Sequence, residues 1–188
     1  MIAQLIAALI GNYMTTCFVI GLAVGLIQAA RSLRPRTPAL VSGLLLNAYV
    51  LWAIGIGQTI NFVMHSVFGD FAAKSIGWAQ SPFQFELALS SLGFGVMAIL
   101  LHGRRTQFRA KVAIVIAQLI FGLGAAGGHI YQLVVNNDHA VNNTGLLLAM
   151  DIAIPIVGLA LVLWHAAARR DDASLTDAYT PTLDRVGH

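Results

Sequence analysis

The sequence predicts an all-α integral membrane protein with a bundle of five transmembrane helices. Charged residues make up 10% of the chain and hydrophobic residues 57%, whereas soluble domains carry about 25% charged residues. Polar loops divide the chain into five long apolar stretches, and a bilayer core is crossed by about 20 apolar helical residues. The positive charges are confined to alternate loops. Together these observations predict a multi-pass protein in a lipid bilayer.

Each apolar stretch is predicted to be a helix, because backbone that crosses lipid must satisfy its own hydrogen bonds. In chain order the stretches are residues 2–30, 39–68, 83–101, 112–135 and 144–168. The first begins without the positive residues of a secretory signal, which predicts an uncleaved anchor. The second follows Pro35 and Pro38, which both resist helix continuation. Residues 1–170 are therefore predicted to form one transmembrane domain, and residues 171–188 a poorly ordered polar tail.

The distribution of cations predicts the topology. Every Lys and Arg except Lys74 lies in the first loop, the third loop or the tail. By the positive-inside rule these three parts are cytoplasmic, so the N-terminus is outside and the tail is cytoplasmic. The same distribution argues against a nucleic-acid partner, because the cations alternate with spans and form no contiguous patch. The longest outer loop, residues 69–82, contains Phe71, Ile76 and Trp78 and is predicted to lie along the membrane surface.

Small residues four positions apart predict close helix packing. Such pairs let helix backbones approach each other, and they serve either packing within the bundle or a homo-oligomer face. They occur in four spans, as Gly21/Gly25, Ser91/Gly95, Gly124/Gly128 and Ala149/Ala153. If these residues serve packing within the bundle, leucine at Gly124 or Gly128 should destabilise the protein. Cys17 is the single cysteine, which excludes an intrachain disulfide and a thiolate metal cluster.

Titratable residues recur near the outer ends of four predicted spans. His65, Glu86, His129 and Asp151 fall within a slab about 10 Å deep, given the rise of an α-helix. Ionisable groups in spans are expensive and usually face a bundle interior or a watery cavity. Within each span, polar residues follow steps of three and four and so share a helix face. In the second span, that face runs Asn47, Leu51, Ile54, Gln58, Asn61 and His65.

These residues predict an external-side polar pocket that binds a ligand, a metal or a redox partner. Asn61 and Gln132 would orient the ligand. Three interpretations stay open. His65, His129, Glu86 and Asp151 have the donor atoms of a metal site, although no two lie at the i, i+3 or i+4 spacing of common metal motifs. His65 and His129 could instead hold a haem or meet a quinone head group. The third interpretation is a closed structural network of ion pairs and hydrogen bonds, and a proton or ion pathway is a separate alternative.

The alternative function is a non-catalytic accessory subunit that packs in a larger membrane complex, as a hetero- or homo-oligomer. The sequence contains no Gly-rich phosphate loop, no Gly-x-Ser-x-Gly elbow and no Cys pair. The signatures of nucleotide binding, serine hydrolysis and thiol redox chemistry are therefore missing. Whether the protein is an enzyme is left open by the sequence.

Two motifs carry a resemblance to a known family. They are Ser-Pro-Phe-Gln-x-Glu at residues 81–86 and Gly-His-Ile-Tyr-Gln at residues 128–132, with Asp151–Pro155 as a third matching stretch. Across residues 40–165 the chain resembles a family of small, uncharacterised bacterial multi-pass membrane proteins, catalogued as a domain of unknown function. The resemblance implies a bacterial inner-membrane protein and gives weight to Glu86, His129 and Asp151. It implies no activity, substrate or cofactor.

Overall fold

The computed structural model describes the backbone of residues 9–179 and the side chains of residues 9–172, and this part is all-helical without a strand. The elements in order are α1 (Tyr13–Ala30), α2 (Pro38–Tyr49), a π-helical segment (Val50–Ile56), α3 (Gly57–Ser66), α4 (Gly69–Ile76), α5 (Phe83–Leu101), α6 (Phe108–Val135) and α7 (Gly145–Tyr179). Five helices in the described residues are long and apolar enough to cross a membrane, and one of them is α2, the π-helical segment and α3 together. The prediction of an all-α protein with five such helices is confirmed.

Most predicted span boundaries agree with the helices. The third stretch coincides with α5, Phe83–Leu101. The fourth begins earlier than predicted, at Phe108, because Lys111 folds into the bundle instead of ending the helix. The fifth helix continues to Tyr179 and so extends into the predicted tail. The start of the first stretch and residues 180–188 lie outside the described residues.

The second span is the centre of the bundle. In its apolar window 56% of the residues are buried, against 22% to 33% in the other four spans. It packs against α1 and α5 on one side and against α7 on the other. Leu46, Tyr49, Val50 and Ile54 of this span are at most 1% exposed. Since lipid gives helices no hydrophobic drive to associate, this burial reflects close packing of side chains and backbones.

Glycines permit close packing of the first span on the second. A Cβ at Gly21 would lie 2.9 Å from Trp52 Cβ, and one at Gly25 would lie 2.9 Å from Leu45 Cα. A Cβ at Gly95 of the third span would lie 2.5 Å from Thr59 Oγ1 and 3.1 Å from the Gly55 carbonyl oxygen. These contacts agree with the predicted packing roles of the small residues in the first and third spans.

The prediction for the fourth span was wrong in its choice of glycines. Nothing lies within 4 Å of a Cβ at Gly124, and at Gly128 the nearest atom belongs to Trp78, at 3.6 Å. The close approach is instead at Gly122, where a Cβ would meet Pro155 Cγ at 3.1 Å and the Asp151 carbonyl oxygen at 3.3 Å. Pro155 has no N–H to donate to the Asp151 carbonyl oxygen. Helix α6 therefore packs against the turn of α7 from which this helical hydrogen bond is missing.

The predicted polar face of the second span divides beyond the π-helical segment, within α3. A π-helix forms i→i+5 hydrogen bonds, so one π turn takes up about one residue more than an α turn. Before it, Asn47 accepts a hydrogen bond from Lys111 of α6. After it, Gln58 donates to Gln118 of α6, whereas Asn61 contacts α1 and α5. The residues predicted to share one face therefore meet three different helices.

The connections lie alternately at two ends of the bundle. The loops 31–37 and 102–107 and the region of Arg169 and Arg170 are at one end, which we call the basic end. The loops 67–82 and 136–144 are at the other, which we call the opposite end. In the loop 67–82, α4 leaves Phe71 65% exposed, as expected for a surface segment, whereas Trp78 turns inward.

Candidate functional site

His129 of α6 and Asp151 of α7 meet at the opposite end of the bundle, and we call them the His129–Asp151 pair. His129 Nε2 lies 3.6 Å from Asp151 Oδ2. The two side chains are 9% and 25% exposed respectively, so the histidine is enclosed and the carboxylate is the accessible member. Trp78 covers the imidazole with its ring centroid 5.1 Å away. The pair therefore has one protein-covered side and one open edge, at Asp151.

Asn143 fixes the orientation of the His129 ring. Its side chain is fully buried, and its amide nitrogen donates to the carbonyl oxygens of Asp138 at 2.9 Å and His129 at 3.4 Å. Its amide oxygen must then face His129 Nδ1 at 2.8 Å and Trp78 Nε1 at 3.2 Å. Indole Nε1 is only a donor, which agrees with this orientation. His129 therefore carries a proton on Nδ1 and turns Nε2 towards Asp151.

A second group of polar residues joins the remaining spans to this pair. Tyr13 of α1 has the Asp151 carboxylate as an electrostatic neighbour. Its hydroxyl donates to Asn61 Oδ1 of α3. Asn61 Nδ2 donates in turn to Ser91 Oγ of α5 at 2.8 Å. All five spans thus contribute a polar side chain near this end of the bundle.

The structure brings some of the sequence-predicted residues together and separates others. His129 and Asp151 form the pair, and Asn61 belongs to the adjoining hydrogen bonds. His65 Nδ1 instead lies 3.3 Å from Gln84 Nε2, which also donates to the Gly69 carbonyl oxygen at 2.7 Å. Of the two further predicted residues, Glu86 is exposed on α5 and Gln132 accepts a hydrogen bond from Asn136.

The predicted metal and haem sites gain no support from this arrangement. Among the described residues, no group of three or more His, Cys, Asp or Glu side chains could hold a metal ion. Both ring nitrogens of His129 face protein acceptors, and Trp78 covers its ring. A haem iron would need one of those nitrogens.

Polar residues continue towards the middle of the bundle and then stop. Gln58 Nε2 donates to Gln118 Oε1 at 3.0 Å, and the buried Gln58 Oε1 has no hydrogen-bond partner among the described residues. One to two turns nearer the basic end, Val50, Ile54 and Val115 are fully buried. The buried Tyr49 hydroxyl lies at the same level and donates to the Ile154 carbonyl oxygen at 3.0 Å, so mainly apolar side chains separate the polar residues of the two ends.

The sequence did not identify Trp78, Asn143, Tyr13 or Ser91 as parts of the site. Asn143 and Trp78 lie in loops, and hydropathy does not predict how a loop packs. Tyr13 offered a signal that could have been used. A tyrosine near the outer end of a span has a hydroxyl that needs a partner when buried.

The chain was compared with protein families, with curated proteins and with solved structures. A family model, described as a family of unknown function (DUF6790), matches residues 11–171. No curated protein matches, and no solved structure does. The matched range includes four of the candidate membrane spans, all but the last residue of the fifth, and both members of the His129–Asp151 pair. The chain therefore belongs to the family of unknown function DUF6790.

Proposed function

We propose that this membrane protein binds and releases a proton at the His129–Asp151 pair, in the outer half of a bacterial inner membrane. A ligand or redox partner of the site would meet the exposed edge of Asp151. The observation that carries the proposal is the hydrogen bonding of Asn143, which requires a proton on His129 Nδ1 and leaves Nε2 facing Asp151 Oδ2 at 3.6 Å.

That geometry calls for one further proton in the pair. A neutral imidazole protonated on Nδ1 has a lone pair on Nε2, and an ionised carboxylate has only lone pairs. Two acceptors facing each other in a medium of low dielectric constant repel each other. The pair is therefore held either as imidazolium with carboxylate or as imidazole with carboxylic acid. Both forms contain the same proton.

The surroundings of the His129–Asp151 pair favour proton exchange at the opposite end of the bundle only. Asp151 is 25% exposed and His129 is 9% exposed, so a proton reaches the pair at the carboxylate. Towards the basic end, Val50, Ile54 and Val115 are apolar and fully buried, and the Tyr49 hydroxyl at this level already donates to the Ile154 carbonyl oxygen. The distribution of cations supports an N-terminus outside and a cytoplasmic C-terminus. The proton would then exchange with the outer side.

Infrared difference spectroscopy of the purified protein tests this proposal. A change of pH should produce a carboxyl band that is lost in Asp151→Asn and altered in His129→Gln. Glu86→Gln is the matched control, because Glu86 is an exposed carboxylate in a neighbouring span and should leave that band intact. Identical spectra for the wild type and Asp151→Asn, at every pH where both stay folded, would show that the pair does not titrate.

A second candidate function is the accessory subunit of a larger assembly. Gly93, Gly124 and Gly127 favour it, because a Cβ at each would have nothing within 4 Å and so faces outward. Outward-facing small residues are suited to close packing with another helix. Native mass spectrometry in mild detergent should then show an oligomer that Gly124→Leu weakens. A wild-type protein that is monomeric at every concentration tested would argue against self-association.

A further inference from the structure

A cavity of about 390 Å³ lies at the basic end of the bundle, between the starts of α2 and α6 and the side of α7. This volume is within the range of small-molecule sites. Its polar lining comes from three helices and one loop and includes Asn47, Arg104, Gln107, Lys111, His165 and Arg169. Of the described residues that line it, none is Asp or Glu. The cavity is thus positively charged and distant from the His129–Asp151 pair.

Lys111 is the most informative residue of this cavity. It is 6% exposed, although lysine is almost never fully buried unless it is paired. Its ammonium group donates to Asn47 Oδ1 and, at 2.6 Å, to the Gly103 carbonyl oxygen. Both acceptors are neutral, and a lysine ammonium has three N–H donors. A buried charge is expensive unless it is paired, so an anion in the cavity would complete its environment.

Two helix N-termini add to the positive potential. Helix α2 begins at Pro38 and α6 at Phe108, and residues of both first turns line the cavity. The N-terminus of a helix carries about half a positive charge and favours anions, phosphate above all. The N-termini alone would not define a site. Here they lie beside a buried ammonium group and two arginines.

The aromatic and hydroxyl contacts of the wall hold its basic groups in place. The Arg169 guanidinium lies over the Phe108 ring, 5.4 Å from its centroid. His165 packs edge-on against the same ring and has Nδ1 2.9 Å from Ser42 Oγ. Arg104 and Arg169 are exposed and stand at the mouth of the cavity. An anion could therefore enter past two guanidinium groups and reach Lys111.

We propose that this cavity binds a phosphate-bearing anion, either the head group of an anionic phospholipid or a free phosphate compound. Arginine and lysine at helix N-termini provide the charge-assisted donors that phosphate oxygens accept. Arg104 and Asn47 also line a second cavity of about 510 Å³, whose walls include Val24, Ile27 and Trp52. A phosphate held by Arg104 would have this apolar space beside it, so an attached acyl chain could be accommodated.

The test uses the full chain, purified in detergent and stripped of lipid. Its thermal unfolding is measured with added sodium phosphate, with short-chain phosphatidic acid and with sodium chloride at matched ionic strength. Stabilisation by phosphatidic acid alone identifies a lipid head group, and stabilisation by inorganic phosphate identifies a free phosphate compound. Native mass spectrometry of the unstripped protein should show a retained phospholipid in the first case. Either result supports the site.

Variants then locate the binding. In Arg104→Gln and Arg169→Gln, the apparent affinity should fall by about tenfold or more for each guanidinium group removed. Arg105→Gln is the matched control, because Arg105 has the same charge in the same loop and does not line the cavity. Lys111→Met should abolish the response, provided that the variant folds. The proposal is overturned if no phosphate ligand stabilises the wild type beyond the chloride control. It is equally overturned if Arg105→Gln weakens binding as much as Arg104→Gln.

Discussion

Replacing Asn143 with leucine should destabilise the opposite end of the bundle, and the His129 ring should no longer be held in one orientation. Leucine has a similar volume but its side chain forms no hydrogen bonds, so the substitution removes four of them. The most costly effect is on the buried donors Trp78 Nε1 and His129 Nδ1, because an unsatisfied buried donor costs about 1–3 kcal/mol. The expected fall in the free energy of unfolding is therefore about 4 kcal/mol. This is a large part of the about 5–15 kcal/mol typical of a folded protein.

Two measurements on the Asn143→Leu variant check this reasoning. An SDS titration in mixed micelles gives the free energy of unfolding, and ¹⁵N spectra of labelled histidine report whether Nδ1 of His129 keeps its proton. Asn142→Leu is the matched control, because Asn142 bonds through its backbone N–H to the Ser75 carbonyl oxygen at 3.3 Å, which the substitution preserves. An Asn143→Leu variant as stable as the control, with Nδ1 still protonated, would refute the role assigned to this amide.

Two further predictions concern packing and topology. Gly158→Ala should lower the free energy of unfolding by about 1–3 kcal/mol, because the new Cβ would lie 2.5 Å from Tyr49 Cζ. Gly124→Ala is the control, and it should be neutral or stabilising because its Cβ would enter open space. If the SDS titration gave equal effects for both variants, the packing of α7 on α2 would be contradicted. Reporters active only in the cytoplasm should give signal when fused within residues 31–37 or 102–107, and none within residues 67–82 or 136–144; signal from the loop 136–144 would exclude the proposed topology.

Span boundaries were predictable where hydropathy and backbone chemistry agree. Helix α5 follows Pro82 and is apolar almost throughout, so its limits could be read directly. The start of α6 could not be read from the sequence, because Arg109 and Lys111 interrupt the apolar run. Lys111 lies inside the bundle only because Asn47 and the Gly103 carbonyl oxygen accept its hydrogen bonds. Such partners come from tertiary packing and leave no local signal.

The depth of the candidate site along the spans was predictable from the sequence, but the directions in which its side chains point were not. Helix rise sets how far His129 and Asp151 lie from the ends of their spans, and the two side chains do meet at one level. Helical phase predicts which residues share one face of a helix, but it does not predict which neighbouring helix that face contacts. Glu86 has a suitable depth and is nevertheless exposed. Asn143 could not be found at all, since its importance depends on how the loop 136–144 folds over α6.

The π-helical segment gives the length of the second span a geometric role of its own. In an α-helix, one residue corresponds to a rotation of about 100°, and a π turn takes up about one residue more than an α turn. Deleting one residue from Val50–Ile56 would therefore let this segment close into an α-helix, with α2 and α3 facing as they do now. Asn47 would still meet Lys111, and Asn61 would still meet Tyr13 and Ser91. A deletion within α3, where no wider turn absorbs it, would instead rotate the residues beyond it against the rest of the protein.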